Sequence, residues 1–75
     1  MEEKLKEVMA SVFEVSPEEI SHQTSSDDLE KWDSLHHMNL IAALEEEFEV
    51  EFDEDEILDM INFKLILLTL SEKLN

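Results

Sequence analysis

The sequence predicts a small all-α protein, an antiparallel bundle of three main helices plus one short helix, with a long loop between the first two helices. Three observations support this. The chain has no glycine and one proline among 75 residues, so it offers few residues for the tight turns of a β-fold. Hydrophobic residues make up 43% of it and recur at helical spacing. Its length suits one domain, residues 1–75, with a small core and modest stability.

The first helix is predicted to run from about residue 2 to Glu14. Four apolar residues share one helix face because they fall at i, i+3, i+4 and i+7: Leu5, Val8, Met9 and Val12. A capping-box pattern follows over residues 16–19, with Ser16 as N-cap and Pro17 at the first helical position. This pattern predicts a short turn of helix that ends near residue 20 or 21.

Residues 22–28 are polar and aperiodic, which predicts a long surface loop. Leu29 and Trp32 are the large apolar residues that follow, and we expect them to fix the end of the loop to the core. A binding role for Trp32 is the alternative, because this residue lies two positions before Ser34.

The second helix is predicted to begin at Asp33 or Ser34 and to end near Glu49. At 100° per residue, one apolar strip faces the core: Leu40, Ile41, Leu44 and Phe48. A second strip lies on a different side and runs into acidic residues: Leu35, Met38, Ala42, Glu45, Glu46 and Glu49. We expect this second strip to be a docking face for other proteins. Contacts with neighbouring helices of the bundle are the alternative.

The remaining third of the chain predicts a loop and two helices. Val50 and Phe52 are expected to anchor the loop. Carboxylates at residues 53–56 suit the N-terminus of a short third helix. Its apolar content comes from four residues: Ile57, Leu58, Met60 and Ile61. The last helix is predicted from about Phe63 to Lys73. It is expected to bury Leu65 and Leu68, with Leu67 or Ile66 in addition.

The charge balance restricts the partners. Five lysines and no arginine face 21 carboxylates, which gives a formal net charge of −16. Nucleic acids and anionic membrane surfaces are therefore not expected as partners, because both require basic residues. Proteins with basic patches are the expected partners, since opposite charges accelerate encounters. A solvated acidic surface that only improves solubility is the alternative.

The sequence also restricts the compartment and the redox chemistry. Without cysteine, neither a disulfide framework nor a thiolate zinc site can form. The longest apolar cluster near the C-terminus, residues 65–68, is far shorter than the ~20 residues of a membrane span. The first residues are charged rather than arranged as a leader. We expect no membrane span, a cytoplasmic location and a monomer.

The tetrapeptide at residues 32–35, Trp-Asp-Ser-Leu, begins the most informative segment. Residues 33–48 strongly resemble the second helix of acyl carrier proteins, a family in which the serine of Asp-Ser-Leu carries 4′-phosphopantetheine. The resemblance implies that Ser34 receives this group covalently from coenzyme A through a phosphopantetheinyl transferase. The free N–H groups of a helix N-terminus favour a phosphodiester, and Asp33 can cap the helix. The chain would then carry acyl intermediates as thioesters to enzymes of fatty-acid, lipid or polyketide-type biosynthesis.

The resemblance also implies two sets of site residues. The contacts with acyl-loading and acyl-transferring enzymes, which would bring basic docking patches, fall on the motif and the acidic strip: Asp33, Leu35, Met38, Ala42, Glu45, Glu46, Phe52 and Glu54. An apolar pocket for the acyl chain would lie behind the second helix: Leu40, Ile41, Leu44, Phe48, Ile57 and Ile61.

The sequence departs from the family pattern in several places. Glycines are usual shortly before the motif and after the acidic cluster, where this chain has residues such as Lys31, Trp32 and Glu49. The remaining departures lie on the second helix: His36, His37, Asn39 and Ala42. These changes indicate a specialised carrier that serves one pathway. An aminoacyl or peptidyl carrier, or an acidic helical interaction module without a prosthetic group, are the alternatives.

The serine, histidines and carboxylates of this chain could also suggest catalysis or metal binding, but their arrangement favours neither. A hydrolase would pair Ser34 with His37, three residues on, yet it also needs an oriented base and an oxyanion hole that a small bundle does not offer. We therefore expect no enzymatic activity. We expect His37 to be partly buried on the inner edge of the helix and His36 to be solvated. The acids at residues 53–56 lack the glycine of a calcium loop, and adjacent histidines face different sides, so no metal site is expected.

Overall fold

The computed structural model describes residues 1–74. Over this range the chain forms four α-helices and one 3-10 turn, as follows: α1 (Glu2–Phe13), the 3-10 turn (Pro17–Glu19), α2 (Ser34–Phe48), α3 (Glu54–Asp59) and α4 (Phe63–Leu74). Three helices have 12 to 15 residues and α3 has six, which confirms the predicted fold class. The bounds predicted for α1, α2 and α4 differ from these by one residue at most.

The buried apolar face of α1 follows the predicted spacing. Leu5, Met9 and Phe13 have no exposed surface, while Val8 and Val12 are half-buried at the edge of the core. The capping box after α1 is also confirmed. The Ser16 hydroxyl accepts the N–H of Glu18, and the Glu19 carboxylate accepts the N–H of Ser16 at 2.9 Å.

Helices α1 and α2 are each followed by a glutamate whose backbone lies in the left-handed region. Glu14 has φ 57° and Glu49 has φ 55°. Beyond each, a backbone N–H closes the helix end, Val15 to the Ala10 carbonyl at 3.0 Å and Val50 to the Glu45 carbonyl at 3.2 Å. The left-handed conformation costs a residue with a Cβ about 1–2 kcal/mol. Glycine would adopt the same conformation without this penalty.

The long loop is fastened at both ends. Trp32 is buried and Leu29 is half-buried, which confirms that these residues fix its end to the core. The other attachment has no signal in the local sequence pattern. Thr24 is buried, its carbonyl accepts the N–H of Phe63 at 2.9 Å, and the N–H of Ser26 donates to the Ile61 carbonyl at 2.9 Å. These two bonds tie the loop to the start of α4.

The predicted two-sided character of α2 is confirmed. Leu40, Ile41 and Leu44 are buried, and Phe48 is half-buried against the same core. On the other side, Leu35 is 68% exposed and Met38 is 53% exposed. One face of α2 therefore stabilises the fold, and the other leaves apolar surface beside Ser34.

The prediction for the buried face of α4 was wrong for Leu65 and Leu68 and right for Ile66. Leu68 is 57% exposed and Leu65 is also exposed, whereas Phe63, Ile66 and Leu70 are completely buried. The buried residues fall at i, i+3 and i+7, so they share one face of the helix.

The apolar residues assigned to α3 separate into buried and exposed ones. Met60 lies just beyond the helix and is completely buried, and Ile57 is half-buried. Leu58 is 73% exposed and Ile61 is 50% exposed, so neither contributes to the core. Within this six-residue helix no side chain is completely buried, and Ile57 is the apolar residue that packs against the core. No helix within residues 1–74 is long and apolar enough to cross a membrane.

Candidate modification site and its groove

Ser34 is the first residue of α2, and its side chain is exposed. Asp33 is the N-cap, with an extended backbone, and its Oδ1 accepts the N–H of His36 at 2.8 Å. This bond fixes the first turn of the helix and with it the position of the Ser34 hydroxyl. The predicted cap is therefore confirmed as a structural feature.

His36 strengthens the cap. Its Nδ1 lies 2.8 Å from the same Asp33 oxygen, and because a carboxylate can only accept, Nδ1 carries the hydrogen. The backbone hydrogen bond from His36, and then the bond from its ring, lower the pKa of Asp33. The side chain of His36 is 25% exposed, and its ring lies 6.4 Å from the Phe13 ring between centroids. The prediction that His36 is solvated was wrong, because this bond draws the ring toward the protein.

A groove of about 330 Å³ runs beside Ser34, between the start of α2 and α3. The loop and both helices contribute to its lining: Ser26, Trp32, Asp33, Ser34, His37, Met38, Ile57, Leu58 and Ile61. Most of these side chains are apolar, and Asp33 is the one carboxylate among them. The exposed apolar residues Met38, Leu58 and Ile61 thus have a common location around the serine.

His37 crosses the groove with two hydrogen bonds. The indole Nε1–H of Trp32 donates to Nδ1 of His37 at 2.9 Å, and Nε2 of His37 lies 2.8 Å from the Ile57 carbonyl. The indole can only donate and the carbonyl can only accept, so the ring is neutral with its hydrogen on Nε2. His37 is half-buried, as predicted. Both of its nitrogens are occupied, so it cannot take a proton from Ser34 in this arrangement.

Trp32 forms the inner wall of the groove. It is 6% exposed, and its ring packs against Phe13 with 4.9 Å between centroids. Trp32 therefore fixes the loop to the core, as predicted, and it also lines the groove. A binding role for Trp32 stays a prediction.

The residues predicted to contact partners lie in different settings. Leu35, Met38, Ala42, Glu46 and Glu54 are exposed, as is Asp33. Glu45 is half-buried and accepts the N–H of Phe52 at 2.9 Å, and Phe52 is buried. These last two residues therefore hold the α2–α3 connection together. Partner recognition by all eight residues stays a prediction.

The six residues predicted to form an acyl pocket are divided. Ile57 and Ile61 line the groove. Leu40, Ile41 and Leu44 are packed in the core, Phe48 is half-buried against it, and none of these four lines the groove. Sequence reasoning did not include Ser26, His37 or Leu58 in the pocket. Ser26 lies in an aperiodic loop, and the placement of Leu58 depends on the orientation of a six-residue helix, so neither had a sequence signal.

The site is compatible with a phosphopantetheine group. The hydroxyl is exposed, the N–H groups of the first turn lack intrahelical acceptors, and no acidic side chain occupies that turn of α2. An apolar groove opens directly beside it. Within residues 1–74, no group of three or more histidine or carboxylate side chains is arranged to hold a metal ion.

Comparison with known proteins identifies the class. A family model described as a phosphopantetheine attachment site matches residues 3–64. The fold and the site thus define a carrier protein that bears 4′-phosphopantetheine.

Individual relatives identify the family. An acyl carrier protein of Thermosynechococcus vestitus is 40% identical over 73 residues, covering 84% of this chain and 89% of that protein. One from Nitratidesulfovibrio vulgaris is 38% identical over 64 residues, covering 85% and 84%. The solution NMR structure of a holo acyl carrier protein from Geobacter metallireducens matches with a TM-score of 0.87 at 30% identity, over 97% of this chain and 84% of that one. This chain therefore belongs to the acyl carrier protein family.

Proposed function

We propose that Ser34 is the attachment point of 4′-phosphopantetheine and that the protein carries acyl groups, without catalysing their reactions, to enzymes of fatty-acid, lipid or polyketide-type biosynthesis. The observation that supports this most directly is the exposed Ser34 hydroxyl at the capped N-terminus of α2, beside an apolar groove. When bound, the group supplies a terminal thiol that holds acyl groups as thioesters.

The residues around Ser34 have distinct parts in this proposal. Ser34 Oγ loses its proton and forms the bond to the phosphorus of the phosphopantetheine half of coenzyme A, as the pyrophosphate bond breaks and adenosine bisphosphate leaves. Asp33 keeps the first turn of α2 in place during this reaction through its bond to His36. The positive end of the helix dipole favours the phosphodiester that results.

The surface around Ser34 supports docking of basic partners. Leu35, Met38 and Ala42 form an exposed apolar strip, and Glu46 and Glu54 lie exposed beside it on α2 and α3. Because this chain has a net charge of −16, it would attract a phosphopantetheinyl transferase or an acyl-transferring enzyme that has a basic patch, even before the two proteins touch. The single carrier domain, the monomeric state, the cytoplasmic location and a specialised pathway are parts of this same proposal.

Mass spectrometry tests the proposal. The protein is incubated with coenzyme A and a broad-specificity phosphopantetheinyl transferase, and its mass is expected to rise by one phosphopantetheine group. Ser34→Ala should abolish the gain. Ser26→Ala is the matched control, because Ser26 lines the same groove but lies in the loop, and it should keep the gain. A protein that gains no mass, or a gain that survives Ser34→Ala, would contradict the assignment.

The choice of cargo between acyl and aminoacyl groups depends on the loading enzymes. The family match favours a carrier over an interaction module without a prosthetic group. A competition between fatty-acyl and aminoacyl loading enzymes, followed by the mass of the loaded protein, would separate the two kinds of cargo. Exclusive aminoacyl loading would replace the acyl proposal with the aminoacyl alternative.

A further inference from the structure

The side chain of His37 spans the groove beside Ser34 and forms a polar crossing between its walls. Among the nine residues that line it, His37 connects the other two parts of the wall, the Trp32 indole in the loop and the Ile57 carbonyl in α3. The rings of Trp32 and His37 lie nearly parallel, edge to edge, with 6.2 Å between centroids and 24° between planes. The crossing therefore joins the end of the loop and the start of α2 to α3, which lies twenty residues further along the chain.

The bond to Ile57 holds α3 against α2. Ile57 lies in the last turn of α3, where carbonyls lack intrahelical partners. The N–H of Met60 reaches this carbonyl only at 3.4 Å, whereas His37 reaches it at 2.8 Å. His37 is thus the closer partner. Moving α3 away from α2 would break this bond.

The interior behind the crossing is filled. Leu40, Leu44, Met60 and Phe63 have no exposed surface, and none of them lines the groove. A long alkyl chain could reach them only by separating α3 from α2. That separation would break the Ile57 bond, and displacement of His37 would leave the buried Trp32 N–H without its acceptor. A short chain could lie in the groove with both bonds intact.

We propose that His37 is a specificity-determining residue, a latch between Trp32 and Ile57 that keeps the cargo in the outer groove and thereby favours short acyl groups over long alkyl chains. This inference rests on the proposed attachment at Ser34. His37 acts on the cargo through the position of α3 and the indole of Trp32, and it takes no part in bond making.

Loaded forms of the protein test the latch. Acetyl-, butanoyl- and dodecanoyl-phosphopantetheine are transferred to Ser34 from the corresponding coenzyme A thioesters by a broad-specificity transferase, and loading is verified by mass. Thermal unfolding and the NMR resonance of the Trp32 indole N–H are then measured. Trp32 is the one tryptophan of the chain, so this resonance reports the latch directly.

The wild-type protein is expected to melt at the same temperature with all three cargoes and to keep the indole resonance unchanged. In His37→Ala, the dodecanoyl form should melt about 4 °C or more above the acetyl form, as expected when a domain of this size gains internal contacts. Each comparison is made within one variant, so a lower overall stability does not obscure it. His37→Gln, which can both accept and donate, should restore the wild-type pattern.

His36→Ala is the matched control, because it removes the adjacent histidine of the same helix, whose ring is bonded to Asp33 rather than to Trp32 or Ile57. It should behave as the wild type does. A dodecanoyl group that raises the melting temperature of the wild-type protein and shifts the indole resonance would overturn the latch, whether or not His37→Ala folds. Failure to load any cargo would instead show that the attachment proposal is wrong, and the latch would fail with it.

Discussion

Helix α2 meets its neighbours along two seams that are built differently. Toward α1 the seam is apolar, with Leu5 and Met9 of α1 and Leu44 of α2 completely buried in one cluster. Toward α3 the seam depends on two specific hydrogen bonds, from His37 to the Ile57 carbonyl and from the Phe52 N–H to Glu45. Packing that is spread over many side chains is not lost when one contact breaks, whereas the α3 seam loses its specific contacts when two hydrogen bonds break. We therefore expect the α3 side of the bundle to open more readily than the α1 side.

The surfaces above the two seams differ as well. A depression of about 370 Å³ follows the α1 side, and half of the residues that line it are charged: Lys4, Glu7, Glu46 and Glu47. An ion pair between Lys4 and Glu47, at 2.6 Å, crosses its edge. The groove on the α3 side has one carboxylate and is mainly apolar. An acyl group therefore has a suitable environment on one side only, the side on which Ser34 lies.

The largest expected effect breaks the apolar seam. Leu44→Ala should cost about 2–5 kcal/mol of unfolding free energy, since it removes buried methyl groups and leaves a cavity. A chain of this length is expected to have roughly 4–11 kcal/mol in total. Met38→Ala, on the exposed side of the same helix, should change the stability by less than about 0.5 kcal/mol. Urea unfolding measures both, and equal losses would show that α2 has no dominant buried face.

The next effect concerns the polar seam. His37→Ala should cost about 1–3 kcal/mol, because it leaves the buried Trp32 N–H without its acceptor and the Ile57 carbonyl with the longer bond from Met60 alone. Hydrogen exchange should show the loss of protection concentrated in α3, with α1 nearly unchanged. A uniform loss across all helices would mean that the α3 seam is not a separate unit.

A smaller effect of opposite sign is expected at the end of α2. Glu49→Gly should stabilise the protein by about 1 kcal/mol, because glycine adopts the left-handed conformation without the Cβ penalty. Glu49→Ala removes the same charge but keeps the Cβ, so it separates the conformational gain from relief of charge repulsion. Thermal unfolding of the two variants decides between them, and an equal gain in both would assign the effect to charge alone.

Acid should weaken the contact between α3 and α4. The pKa of Glu56 is lowered, first by the hydrogen bond from Lys73 and then by the backbone N–H of Asp53. A carboxyl group with a lowered pKa in the folded state stabilises the protein above its unfolded pKa of about 4.3, and this contribution is lost as the pH falls through the lower folded value. Glu56→Gln should therefore flatten the acid side of the stability curve. An unchanged acid limb would show that the ion pair contributes nothing measurable.

The smallest expected effect is that of ionic strength on the stability of the whole domain. With a net charge of −16, added salt or magnesium should raise the melting temperature by reducing repulsion between carboxylates. A melting temperature that stays constant or falls with magnesium would mean that self-repulsion does not limit stability. Neutral salt serves as the control for specific binding of the divalent ion.

Sequence periodicity predicted the apolar seam but not the polar one. The faces of α1 and α2 followed from spacing alone, since Leu5 and Met9 on α1, like Leu40 and Leu44 on α2, lie one helical turn apart. The orientation of α4 was mispredicted because apolar residues occur on several sides of this helix, so more than one buried face fits the spacing. The groove depends on long-range contacts such as that of His37 with Ile57, and no local pattern encodes them. The position of Ser34 at the capped start of α2, by contrast, was predicted from its local motif, because this setting depends on one helix only.

The ties between the loop and the start of α4 have a consequence for the order of folding. Ser26 and Ile61 are separated by 35 residues, and Thr24 and Phe63 by 39, whereas the bonds inside each helix span four. Closing so long a segment lowers the chain entropy before the distant contacts have formed to offset the loss. Such contacts therefore form slowly. We expect these ties to form after the helices. The groove shares Ser26 and Ile61 with them, so the place for the cargo would be among the last parts of the molecule to take shape.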